Sequence, residues 1–136
     1  MTREDYCSFE LSKLLKEKGF DGECVGCYWD SKKIFDINYE PLSYSDGDLR
    51  DEVILAPTHQ MAMKWLREEH KIDIFIDTDF PIDRMKYTYK IVRIYKDGDK
   101  YTDVMGGSFN TYEEAVEAAL EYVLEKFEIT QPERAH

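Results

Sequence analysis

The spacing of apolar positions predicts a helix at the start of the chain. Leu11, Leu14 and Leu15 form one stripe over about residues 7–18, with Lys13, Lys16 and Glu17 turned away, and Gly19 supplies a natural C-terminal cap. The period then shortens to two. Residues 24–29 and 33–39 predict two strands joined by a tight turn at Asp30, Ser31 and Lys32, with Phe35, Ile37 and Tyr39 on one face of a half-buried sheet. A polar loop over residues 40–51 leads to a short strand at 53–55. Thr58 then caps a helix that carries Met61, Ala62, Trp65 and Leu66 inward. From Lys71 onward Ile72, Ile74 and Ile76 alternate with Asp73, Phe75 and Asp77, giving a strand with one apolar and one partly acidic face.

Residues 87–96 and 100–105 predict a hairpin turning at Asp97-Gly98, a pair that supplies the positive φ angles of a tight turn. Gly106-Gly107 leads to Thr111, which with Glu114 spells a capping box for a helix ending near Phe127. Thr58-x-x-x-Ala62 and Thr111-x-x-x-Ala115 each open a helix behind strands. The expected fold class is therefore α+β: a mostly antiparallel sheet with three main helices, read as two pseudo-repeated ββα units around a shared sheet after an N-terminal helix. Residues 1–129 are expected to form a single domain and 130–136 a flexible tail.

Composition fits that domain, with 43% hydrophobic and 35% charged residues in a chain of 136, enough to bury a core without a metal or disulfide. Charge changes the picture of partners. The 18 Lys and Arg against 29 Asp and Glu give a formal net charge of −11, which repels phosphate backbones and acidic membrane surfaces and favours a cationic partner. No apolar run reaches membrane-spanning length and the Met-Thr-Arg-Glu-Asp start has no signal-peptide core, so a cytoplasmic protein is expected. Cys7, Cys24 and Cys27 are an odd number and read as reduced thiols.

Five features bear on chemistry. Cys24-Val25-Gly26-Cys27 has the spacing of a zinc or redox pair, yet no second such pair completes a ligand set; Cys7, His59 and His70 could join only if the fold gathered them. Two small hydrophobes on a strand are the plainer reading. Carboxylates cluster at Asp46, Asp48, Asp51 and Glu52, and at Asp73, Asp77, Asp79 and Asp83, without matching a calcium loop. His59 and His70 lie three turns apart on one side of a helix, too far to share a small site, and no nucleophile elbow or phosphate-binding loop occurs. The hairpin is locally basic: Lys86, Lys90, Arg93 and Lys96 interleave with Tyr87 and Tyr89, the aromatic-plus-cation pattern of a single-stranded nucleic-acid platform, though lysines also protect edge strands. Last, Glu113, Glu117, Glu121 and Glu125 recur every fourth residue on the final helix, a solubilising stripe or a surface for a basic partner.

The runs Cys7-Ser8-Phe9-Glu10-Leu11, Leu14-Leu15-Lys16-Glu17-Lys18-Gly19-Phe20, Ala56-Pro57-Thr58, Trp65-Leu66-Arg67-Glu68-Glu69 and Thr111-Tyr112-Glu113-Glu114-Ala115 resemble small uncharacterised proteins encoded in prophages and mobile elements of gut bacteria. That resemblance covers nearly the whole chain and implies a bacterial cytoplasmic setting but no activity, cofactor or catalytic residue. The C-terminal third, a hairpin followed by Thr-x-Glu-Glu-Ala and an amphipathic helix, is also similar in layout to HicB-type antitoxins, which neutralise a small basic toxin. The Gly-rich aromatic strand signature usual there is absent.

These readings converge on a non-enzymatic interaction protein of phage or mobile-element origin, with Glu113, Glu117, Glu121 and Glu125 facing a basic protein partner. No cofactor and no membrane partner are expected, and the oligomeric state is left open. A nucleic-acid binder acting through Lys86, Tyr87, Tyr89, Lys90, Arg93 and Lys96, and a metal-binding enzyme using Cys24 and Cys27, are the alternatives.

Overall fold

A computed structural model describes residues 3–29, 33–47, 49–79, 86–94, 100–127 and 129, with backbone alone at 79 and 100–103. A 3-10 turn at Arg3–Asp5 precedes α1 (Phe9–Glu17), β1 (Cys24–Trp29), β2 (Ile34–Leu42), β3 (Val53–Ala56), α2 (His59–His70), β4 (Ile72–Asp79), β5 (Lys86–Ile94), β6 (Lys100–Phe109) and α3 (Tyr112–Lys126). The fold is α+β, as the periodicity predicts. Each helix starts on a hydroxyl cap: Ser8, Thr58 and Thr111 accept from the amides of Leu11, Met61 and Glu114, so none of these helices leaves that donor orphaned. At the other ends, Gly19 at φ 94° follows α1, and Lys71 takes a left-handed conformation after α2.

The strands form two antiparallel sheets rather than one shared sheet, in the orders β2-β1-β3 and β4-β5-β6. Each Thr-capped helix thus follows three strands, and the two halves differ in strand order: the first strand is central in one sheet and the second in the other. Each half is therefore βββα, one strand more than the ββα unit read from the sequence, although the short buried β3 falls where a strand is predicted.

Most of the apolar side chains meet in one core. Leu11 and Leu15 of α1, Val53 and Leu55 of β3, Leu66 of α2, Ile74 and Ile91 of the second sheet, and Val116, Leu120, Val123 and Leu124 of α3 all belong to it. A smaller cluster of Phe9, Tyr28, Ile54 and Ala56, with Phe35 beside it, lies against the first sheet. Arg3 is placed over the Tyr28 and Phe35 rings.

Two expectations change. The first is β2, whose residues Ile34, Ile37 and Tyr39 stand exposed instead of half buried. It is an outer strand, and its pairing to β1 slips between Cys24 and Gly26, where Gly26 opposes Ile37 but Cys24 opposes Leu42, so three additional β2 residues bulge out. The second is β5, which is the middle strand of its sheet and has no free edge to protect. The turns at 30–32 and 95–99, the stretch 80–85 and the tail from 130 lie outside the described residues, as do Asp48, Asp83, Arg84, Tyr95, Lys96 and the Asp97-Gly98 corner.

Candidate functional site

The segment before α1 runs alongside the start of α2. Tyr6 bridges to Thr58, and the Cys7 amide donates to the Pro57 carbonyl at 2.9 Å, which brings Cys7 and Ser8 beside His59. The Cys7 carbonyl in turn accepts from the Tyr28 hydroxyl at 2.8 Å and the Ser12 hydroxyl at 3.3 Å, so its backbone is held on both sides. From the third direction α3 presents Glu117. Its carboxylate accepts from the Ser8 amide at 3.0 Å and lies 2.6 Å from His59 Nε2.

Cys7, His59 and Glu117 therefore converge, their ligand atoms all within 4.8 Å of one another. Cys7 is sealed from solvent, the His59 side chain is 5% exposed and that of Glu117 28%, so the group opens outward only through the carboxylate. Burial pushes the Cys7 thiol well above its usual pKa, the negative Glu117 and Cys24 add to that, and Arg3 opposes it. An inaccessible protonated thiol is a poor nucleophile. Burial also works against ionising Glu117, but hydrogen bonds from His59 and Ser8 outweigh it and hold the carboxyl below its ordinary value. The N-terminal ends of α1 and α2 both face this carboxylate and carry partial positive charge, which favours an anion there.

Outside the group lies an open concavity of about 760 Å³ whose wall includes the carboxylates of Glu4, Glu113, Glu114, Glu117 and Glu121. Among the described residues Arg3 is the one Lys or Arg on that wall. Ser8, His59 and Thr111 line it too, so three helix starts meet here and soften the negative field without cancelling it.

The glutamate stripe read from the sequence thus divides. Glu113, Glu117 and Glu121 line the concavity, Glu117 as a half-buried tie between helices, while Glu125 is exposed farther along α3 and does not line it. Cys24 and Cys27 are buried in the main core, and among the described residues no further metal-ligand side chain gathers around them. Burial raises both thiols, Cys24 to about 12. His70 sits at the far end of α2 against Trp65, with ring centroids 4.6 Å apart.

On β5 the strand alternation separates what the nucleic-acid reading needs together. Tyr87 packs edge-on against Tyr112, and Tyr89 lies beside Tyr122 and Phe109, so both rings belong to the α3 side of the sheet. Lys90 lies over Phe75, which pairs with it across β4 and is exposed on the other side, and Lys86 reaches Asn110. Arg93 lies over the Phe127 ring. The second sheet's open face therefore mixes β5 lysine with the acidic residues of β4 and, among the described residues, offers no row of stacking tyrosines.

Sequence reasoning named Cys7 and His59 only as ligands the fold would have to gather, and Glu117 only as one member of a stripe. The local signal was the capping chemistry: Cys7 and His59 flank the Ser8 and Thr58 caps, which fix where two helices start. Among the described residues no helix is long and apolar enough to cross a membrane. No protein-family model, curated protein or solved structure matches the chain.

Proposed function

We propose that the protein is a non-enzymatic binding module whose concavity beside α3 receives a basic segment of a protein partner, with Glu113, Glu121 and Glu4 as its outer carboxylates. The observation that carries this reading is a wall that, among the described residues, has five carboxylates and a single arginine, set in a recess instead of spread over a flat helix face. A recess excludes part of the water that screens surface charges, so lysine or arginine side chains placed there gain more than on an open stripe. The overall charge of −11 steers cationic partners toward the molecule. The C-terminal third resembles in sequence layout the HicB-type antitoxins, whose partners are small basic toxins, and a basic partner here would be of the same kind. Catalysis by Cys7 is disfavoured by its burial and raised pKa.

The test is titration of a fluorescent arginine- and lysine-rich nonapeptide at low and high salt. Binding at low salt that falls at least about tenfold in Glu113→Gln/Glu121→Gln, but little in Glu68→Gln/Glu69→Gln at the exposed end of α2, supports the reading. Equal losses in both double variants would reduce it to an effect of net charge.

A further inference from the structure

The geometry points to a Zn²⁺ site formed by Cys7, His59 and Glu117 at the floor of the concavity, with the fourth coordination position turned to the open side. The inference is independent of what the concavity takes up. Three donors of the types zinc prefers, a thiol, an imidazole and a carboxylate, come from three separate elements and lie within 4.8 Å of one another. His59 and Glu117 line the recess with Cys7 enclosed behind them, and three protein ligands with one position left open are the pattern of a zinc site that keeps an exchangeable position.

Electrostatics suits a dication. Zn²⁺ with one thiolate, one carboxylate and a neutral imidazole has no net charge, which is the least costly way to occupy a largely buried site. The helix starts of α1 and α2 favour both anionic ligands. A thiol must lose its proton to bind the metal, so affinity rises with pH.

The ion needs one local adjustment. His59 Nε2 and Glu117 Oε2 are 2.6 Å apart, whereas two ligands on a tetrahedral zinc stand about 3.3 Å apart for bonds of about 2.0 Å. Glu117 is the member with room to make it. Its side chain is 28% exposed and borders the concavity, while Cys7 and His59 are enclosed. Neutral His59 Nε2 then binds the metal, and the Ser8 amide stays on the carboxylate as an outer support. Oxygen-seeking Ca²⁺ and Mg²⁺ fit this donor set poorly.

Cobalt(II) serves as the probe because a thiolate–cobalt bond gives a near-ultraviolet charge-transfer band. Reduced full-length protein, stripped with chelator and titrated with CoCl₂, is expected to show that band together with tetrahedral d–d bands, saturating at one equivalent and bleached by Zn²⁺. Cys24→Ala/Cys27→Ala should keep the spectrum, Cys7→Ala should lose the charge-transfer band, and Glu117→Gln should bind at least about tenfold more weakly. A wild-type protein without the band overturns the site, whatever the variants do. So does a band that survives Cys7→Ala or disappears with Cys24 and Cys27.

Discussion

Truncating Glu117 to alanine tests whether this carboxylate holds the helices together. The substitution removes the acceptor of the Ser8 amide and of His59 Nε2. A donor left buried without a partner costs about 1–3 kcal/mol. Two such donors would cost about 4 kcal/mol in a closed interior. Here the removed side chain borders an open recess, so water can reach at least one of them, and about 2 kcal/mol is the expected loss. Glu117→Gln keeps an acceptor oxygen and should lose about 1 kcal/mol. Glu121→Ala, one turn farther along the same stripe and exposed, should stay within about 0.5 kcal/mol of wild type. Urea unfolding followed by the fluorescence of the buried Trp65, with chelator present, measures all three. With an m-value of about 1.5 kcal/mol/M, the midpoints should fall by about 1.3 M for alanine and about 0.7 M for glutamine. An alanine variant that unfolds within about 0.3 M of wild type would refute the idea that Glu117 is structural, and so would equal losses for Glu117→Ala and Glu121→Ala.

Burial holds the His70 pKa below 6.5, so as pH falls through that value the unfolded chain takes up a proton that folded His70 refuses, and stability drops. Because its buried Nε2 has no hydrogen-bond partner among the described residues, His70→Phe should stabilise by about 1 kcal/mol near neutral pH and flatten that acid-side loss, as read from melting temperatures at pH 7.5 and 5.5. Gly107→Ala should cost about 1–3 kcal/mol by chemical denaturation, since φ is +80° and the new Cβ would come within 1.9 Å of the Phe109 ring. Lys71→Gly should stabilise by about 0.5 kcal/mol in the same assay, because Lys71 occupies the left-handed position that glycine adopts without strain.

Local chemistry was legible where it is decided locally. Thr58 and Thr111 cap the helices that their spacing predicts, β1 has the predicted ends, and Ile72 and Ile74 turn inward as their alternation requires. Long-range placement was not. Nothing in the run from Ile34 to Leu42 signals that its apolar residues would stay exposed, because that depends on which strand takes the centre of the sheet and where the pairing slips. The four-residue glutamate period describes a helix face correctly, yet it cannot distinguish Glu117 from Glu121. That difference is made by the segment before α1, which covers one turn of α3 and not the next. For the same reason Cys24 and Cys27, the pair most conspicuous on paper, end as core side chains, while the solitary Cys7 gains two neighbours of complementary chemistry.

The 109-position separation of Ser8 and Glu117, with His59 between them in the chain, also gives the site an order of assembly. During synthesis the Tyr6–Thr58 bridge can close as soon as the first half has emerged, leaving Cys7 and His59 adjacent but unsealed. Only when α3 emerges does the carboxylate arrive that satisfies both Ser8 and His59. A ribosome-arrested chain ending before residue 117 would therefore expose its thiol to alkylation, and the loss of Cys7 labelling would time the moment at which the two halves of the newborn protein lock together.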